Sequence, residues 1–338
     1  MSQEINVVPM PAPGLPRGSK DPDTATAAQL AGSPLAKAKA MRHRSLWSNA
    51  WRQFKRHRLA MAGLVLFAFF VFATYIGQLF YGTEIDEIDF LVTGQSMTWA
   101  HPFGTDQLGQ DILARILYGG RISLAVGIIS AFVSIVFGSL VGAAAGFMGG
   151  FVDTLLMRIT DMFISLPAVP LLLLVSFLFR DEMYNRFDDR FNNGNAGIFV
   201  LIVFVISVLS WMPTARLVRA SFLTIKEKEF VEAARSLGVS KTAIALKHIL
   251  PNAVSPIIVA ATLSVGAAII TESVLSFLGL GFPSDVPTWG TMLFEARDYF
   301  QISPHEAIFP GLAVFLTVLA INYIGDGLRD ALDPRKTQ

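Results

Sequence analysis

Apolar residues in this chain run in long unbroken blocks, not in the alternation of a half-buried strand or the narrow stripe of a soluble helix. Residues 59–81, 122–148, 162–179, 197–215 and 308–324 contain no charged side chain, and 253–280 contains one, Glu272. A helix needs about 20 mostly apolar residues to cross a bilayer, so the pattern predicts six spans. The third reaches back to about residue 152, giving 152–179, with Asp153, Arg158 and Asp161 at its polar end. Arg158 and Asp161 are three apart, a spacing that suits a local ion pair. Pro167 and Pro170 would break a soluble helix, but in a bundle neighbouring helices can satisfy the freed carbonyls. The predicted fold class is an all-α integral membrane protein of six transmembrane helices occupying 59–326.

The stretches outside the spans differ sharply from one another. Residues 1–44 are rich in Pro, Ala, Gly, Ser and Thr with no apolar period, which predicts a disordered tail. Residues 45–58, "SLWSNAWRQFKRHR", place Leu46, Trp47, Trp51 and Phe54 near helical spacing among basic residues. That predicts an amphipathic helix on the membrane surface. Lys and Arg favour the cytoplasmic side of a membrane protein. One side of the six spans holds 21 of them and the other 6. Both termini, the loop 216–252 and the tail 327–338 are therefore expected in the cytoplasm, and the acidic "GTEIDEIDF" outside.

Composition narrows the function. Of 338 residues 53% are hydrophobic and 16% charged, against about 25% charged in a soluble domain; mean hydropathy is +0.52. A net charge of +1 argues against nucleic acid as a partner, and lipid is the expected surroundings. The absence of cysteine removes disulfides, thiolate metal sites and Cys nucleophiles.

The loop 216–252 carries the most distinctive polar pattern, "EFVEAARSLGVSKTAIALKHILPN". Its Gly-Val-Ser-Lys-Thr resembles the tail of a phosphate-binding loop, but such a loop needs Gly before its Lys. Here Ser240 stands in that place, and Arg235 where the first Gly belongs. Two short helices fit better. Phe230, Ala233, Ala234 and Leu237 fall at i, i+3, i+4 and i+7, and Gly238 occupies a left-handed C-cap position. Ser240 can cap a second helix that Pro251 halts. Such a pair either offers a shallow knob to another protein or lies on its own bundle.

The combination Glu232, Ala233, Ala234, Gly238, Leu250 and Pro251 resembles the "EAA" coupling loop of ABC importer permeases. His248 stands where that pattern often has Ile, with Ile249 next. Three further stretches resemble the C-type permeases of the peptide/nickel branch. They are "HPFGTDQLGQDILARILYGGRISLAVG" (101–127), "ESVLSFLGLG" (272–281) and "GDGLRDALDPR" (325–335). Gln110 replaces an Arg of that pattern and Ala114 a Ser. The resemblance implies that the chain is a non-catalytic permease subunit of a bacterial or archaeal cytoplasmic-membrane importer. Its implied partners are a homologous second permease, two ATPase subunits that hold ATP and Mg, and an extracytoplasmic binding protein. The implied cargo is di- or oligopeptides, with nickel and oligosaccharides as alternatives. The coupling surface would comprise Phe230, Glu232, Ala233, Ala234, Leu237, Gly238, Leu250 and Pro251, with no cofactor on this chain.

Glu272, alone in an apolar span, is a functional candidate by default. It either lines the substrate path or braces the assembly as a gating element, and the second is favoured. "HEAIF" (305–309) has Phe309 where a zinc-protease motif needs His. "DDRFNNGN" (188–195) has Phe191 where a calcium loop needs an oxygen ligand, so no metal or catalytic site is expected. A self-contained secondary transporter would carry several midplane charges and inverted repeats; an intramembrane enzyme would carry motifs missing here.

Overall fold

The computed structural model describes residues 46–332; the expected tail 1–44 and the last residues of 327–338 lie outside that range. The chain divides into residues 1–49, described only for the first turn of helix α1, and a helical body, Ala50–Gln338. Helix α1 is Leu46–Arg56. His57 breaks it with an extended backbone, and its ring accepts the Ala60 N–H at 3.1 Å to start the next helix. Phe54 does not face outward: it is buried with Ala60 and Ala331, and Gln53 donates to the Asp330 carbonyl.

The body contains α2 (Arg58–Phe80), α3 (Ile112–Met148), α4 (Gly150–Ser165), α5 (Ala168–Phe191), α6 (Gly194–Ser210) and α7 (Met212–Lys226). It continues with α8 (Glu229–Ser236), α9 (Lys241–Phe277), α10 (Trp289–Ala296) and α11 (His305–Leu332). Helices α2, α3, α9 and α11 are each long and apolar enough to cross a membrane alone. Two bent pairs, α4–α5 by 84° and α6–α7 by 44°, raise the number of spans to as many as six if each pair crosses as one. No strand occurs among the described residues.

Three expectations are corrected here. The third span is not one helix: the extended backbone of Leu166 and Pro167 turns α4 away from α5. The second begins at Ile112, where Asp111 caps it by accepting the Ala114 N–H at 2.8 Å, ten residues before the apolar run. At 37 residues and 1.5 Å per residue it is about 55 Å long, against a hydrocarbon core of about 30 Å. Finally, Asp161 does not pair with Arg158 but with Arg216 of α7, at 2.6 Å. The first ten residues of α3, 112–121, are polar enough to escape a hydropathy window yet helical enough to extend it.

The body closes through small residues. Gly138, Gly142 and Gly146 line one face of α3 against α7. A Cβ at Gly142 would stand 2.3 Å from the Ala215 carbonyl oxygen. Backbones that meet this closely leave no room for a methyl group, as in small-xxx-small membrane packing. A second core joins α5, α6 and α9 around Leu172, Ile202, Ile206 and Leu275. Trp289 of α10 is fully buried among Ile116, Leu124 and Ile269, and its indole donates to the Ile116 carbonyl at 3.1 Å.

Candidate functional site

Segment 228–251 folds as helix, turn and helix for reasons that can be read atom by atom. Glu229 and Glu232 in the first turn and Arg235 in the last suit the dipole of α8. The helix ends in a Schellman motif. Val239 N–H donates to the Ala234 carbonyl at 3.1 Å and Gly238 N–H to that of Arg235 at 3.0 Å. Gly238 has φ +77°, a conformation that costs a side-chain-bearing residue about 1–2 kcal/mol. Nothing lies within 4 Å of where its Cβ would be, so the turn demands glycine for its backbone, not for space.

Ser240 then caps α9, its hydroxyl accepting the Ala243 N–H at 3.3 Å. Pro251 does not halt this second helix, contrary to expectation. Residues Ile244–Ile249 form a π-helical turn, the Leu250 N–H donates to the Ala245 carbonyl, and α9 runs on to Phe277. The wider turn shifts the ladder so that Pro251, with no N–H to offer, falls in the first positions of the straight stretch, where it is tolerated. Asn252 Nδ2 donates to the His248 carbonyl at 2.7 Å.

The site has two apolar faces. The inner one, Val231 and Ala234 of α8 with Ile244, Ile249 and Ala253 of α9, is buried against Val218 and Phe222 of α7. Val239 and Leu250 pack at its edge. The outer face carries Phe230, Glu232, Ala233, Leu237 and Gly238, all exposed, with Leu237 at 84% and Phe230 at 45%. Ala234, grouped with Phe230 and Leu237 by spacing, therefore lies on the opposite side, and Pro251 is exposed beyond the cap. Val231, not singled out from the sequence, is the inner anchor; the Val231/Ala234 spacing of three was its only signal.

At the other end of the bundle, Glu272 is fully buried. Ser123 of α3 donates to one of its oxygens at 3.1 Å and Ser276 to the other at 2.8 Å. The Ser123 hydroxyl also accepts the Trp289 N–H at 3.3 Å. The carboxylate thus fastens α3, α9 and the start of α10. Nearby, Arg115 is buried and donates to Asp106 and Glu295, each at 2.8 Å, and to the Gln110 side chain. Gln110 supplies an acceptor where a second Arg would oppose Arg115. Burial pushes the Glu295 carboxyl above its usual range, with Arg115 pulling against it. Asp111, besides capping α3, accepts from His101 and Tyr81, each at 2.8 Å. The stretch 188–195 is a helix end and a turn, with Asn192 at φ +51° and Asn193 capping α6. Among the described residues no group of three or more His, Cys, Asp or Glu is placed to hold a metal.

Replacing Glu272 by Ala would leave two buried hydroxyls short of a partner, each costing about 1–3 kcal/mol. A clear fall in the unfolding temperature of the purified protein in detergent is expected, with Glu272→Gln milder because it keeps shape and one acceptor. Equal stability of all three proteins would show that the tie carries no load.

Comparison with known proteins agrees with this architecture. Residues 134–338 match the family described as "Binding-protein-dependent transport system inner membrane component". Residues 45–95 match "N-terminal TM domain of oligopeptide transport permease C". The chain belongs to the binding-protein-dependent permease family and is a membrane-spanning permease component. It is 40% identical over 312 residues to the glutathione transport system permease protein GsiD of Pectobacterium atrosepticum, covering 91% of this chain and 97% of that one. It is 39% identical to the oligopeptide transport system permease protein OppC of Haemophilus influenzae, over 86% of this chain and 89% of the other. The dipeptide transport system permease protein DppC of Alkalihalophilus pseudofirmus is 35% identical, with 86% and 90% covered.

Proposed function

We propose that the chain forms half of a translocation pathway for short peptides across a prokaryotic cytoplasmic membrane, both termini lying in the cytoplasm. A homologous permease forms the other half, and an extracytoplasmic binding protein delivers the cargo. Two separate ATPase subunits hold ATP and Mg and drive transport through segment 228–251. The observation that carries this reading is the division of α8 into two faces. Val231 and Ala234 fix it to the bundle, while Phe230, Ala233, Leu237 and Gly238 stand free. A loop that only covered its own bundle would have no use for a side chain as apolar and exposed as Leu237. The anchored inner face lets a push on the outer face reach α7 and α9 directly. Peptide cargo is supported by three relatives whose names specify glutathione, oligopeptides and dipeptides. Glu272 serves as an internal brace of the gate, not as a substrate contact, because both its oxygens are occupied within the chain.

The chain has no cysteine, so Leu237→Cys introduces a single thiol. In the assembled complex a thiol-directed photo-crosslinker at this position is expected to capture an ATPase subunit, whereas the same reagent at Ile249→Cys, a fully buried position, captures none. Labelling of lipid alone from Leu237→Cys would defeat the coupling reading.

A further inference from the structure

Helix α4 is attached to the body unlike any of its neighbours. Only Thr160 of its sixteen residues is buried. Its links to α7 are polar: Arg219 forks onto both oxygens of Asp153 at 2.5 and 2.6 Å, and Arg216 reaches Asp161 at 2.6 Å. Phe163 adds an apolar contact, packing against the small core of Trp211, Met212 and Ala215 with its ring 6.1 Å from that of Trp211. Both ends of α4 are corners. Gly149 and Gly150 have φ +67° and +54° at one, and the 84° bend at Leu166–Pro167 is the other. On its far side α5 lies against α9 and lines an apolar cavity of about 170 Å³ with Val169, Leu172, Ile270 and Val274.

We propose that α4 is a strut, and that Asp153, Arg219, Asp161 and Arg216 are positioning residues that make α5 follow α7. This inference rests on the coupling reading of segment 228–251 and extends it to the helix that moves next. Helix α7 shares one core with α8 through Val218 and Phe222, so displacement of the docking face displaces α7. Residues of α4 bury too little to be dragged by apolar packing. The forked Arg219–Asp153 pair, which fixes direction as well as distance, passes the motion on, and the two corners let α4 swing as a unit. The Arg216–Asp161 pair is exposed, and such pairs contribute little to stability; the Arg219–Asp153 pair is partly buried and held in one geometry.

The test uses the complete complex in vesicles, reading peptide uptake per ATP hydrolysed. Wild type must first show peptide-dependent ATPase activity and uptake; if it does not, the coupling reading itself fails and the strut is not at issue. Asp153→Arg places two cations face to face and is expected to lower uptake per ATP at least tenfold, with ATP hydrolysis retained. Arg219→Asp should do the same, and the combined Asp153→Arg/Arg219→Asp protein should return to within about twofold of wild type. Unchanged coupling in the single variants, or failure of the swap to restore it, overturns the proposal. Should a single reversal reduce assembly, Asp153→Cys/Arg219→Cys in this cysteine-free chain gives an independent reading. A short bifunctional thiol reagent is expected to restore coupling that the unlinked protein lacks. No recovery on linking overturns the proposal equally.

Discussion

Gly238→Leu is expected to reduce transport per ATP at least tenfold while leaving membrane insertion unchanged. Insertion depends on the apolar membrane-spanning helices, none of which contains this residue. The turn depends on a backbone at φ +77°, which leucine adopts at a cost of about 1–2 kcal/mol. The neighbourhood is open, so the added bulk strains nothing inside the chain. It projects instead from the outer face beside Leu237, where a partner's groove would meet bare backbone. Since 1.4 kcal/mol is one decade in an equilibrium, backbone strain and a blocked surface together reach tenfold. Gly238→Asn is the control: asparagine tolerates the left-handed region and should retain most coupling. Glu232→Ala should act in the same direction as leucine but more weakly, removing a charge from the face without reshaping the turn. The measurement is peptide-stimulated ATPase activity and uptake in vesicles, at matched amounts of assembled complex. Normal stimulated uptake in the leucine variant would mean that the exposed face meets no partner.

Gly142→Leu should act at the opposite extreme, abolishing recovery of a monodisperse complex. A Cβ at Gly142 would lie 2.3 Å from the Ala215 carbonyl oxygen and 2.9 Å from the Val218 Cβ. The obstacle is backbone, which cannot rotate away as a side-chain tip can. Overpacking a close-fitted core costs about 1–3 kcal/mol and at times more. Separating α3 from α7 would also pull Val218 and Phe222 out of the core that holds α8. Gly266→Ala in α9 is the matched control, because its Cβ would find nothing nearer than 3.6 Å; that protein should purify normally. Size-exclusion profiles of the two variants decide the matter, and a normal profile for Gly142→Leu would show that the helices part without penalty.

Much of the site is local chemistry and was legible from the residues. The Schellman turn needs a left-handed residue, and Gly238 was the one candidate at the end of the apolar period. Ser240 followed by a helix-forming run announced a cap. What the spacing could not separate was the two faces of α8. Phe230, Ala233, Ala234 and Leu237 satisfy one helical stripe, but Val231 and Ala234 make a second. Which of the two is covered depends on α7, whose approach no local pattern records. Pro251 misled for a related reason: a proline stops a helix only where its missing N–H is needed, and the π-helical turn before it removes that need.

The sequence by itself determined that the chain is helical and lives in a membrane, and where the polar helix–turn–helix lies. These follow from the cost of taking backbone and charge into hydrocarbon, which every residue in a block meets independently of its distant neighbours. Only the tertiary structure decided which charges meet and where the spans bend. Asp161 had Arg158 within reach along its own helix and instead pairs with Arg216, 55 positions away, because the fold brings α4 beside α7. Glu272 looked like a lone charge in an apolar helix until α3 brought Ser123 to it, with the Trp289 N–H of α10 donating to that same hydroxyl. A pairing between remote side chains depends on the path of the backbone between them, and that path was set by packing at glycines and prolines whose partners lie on other helices.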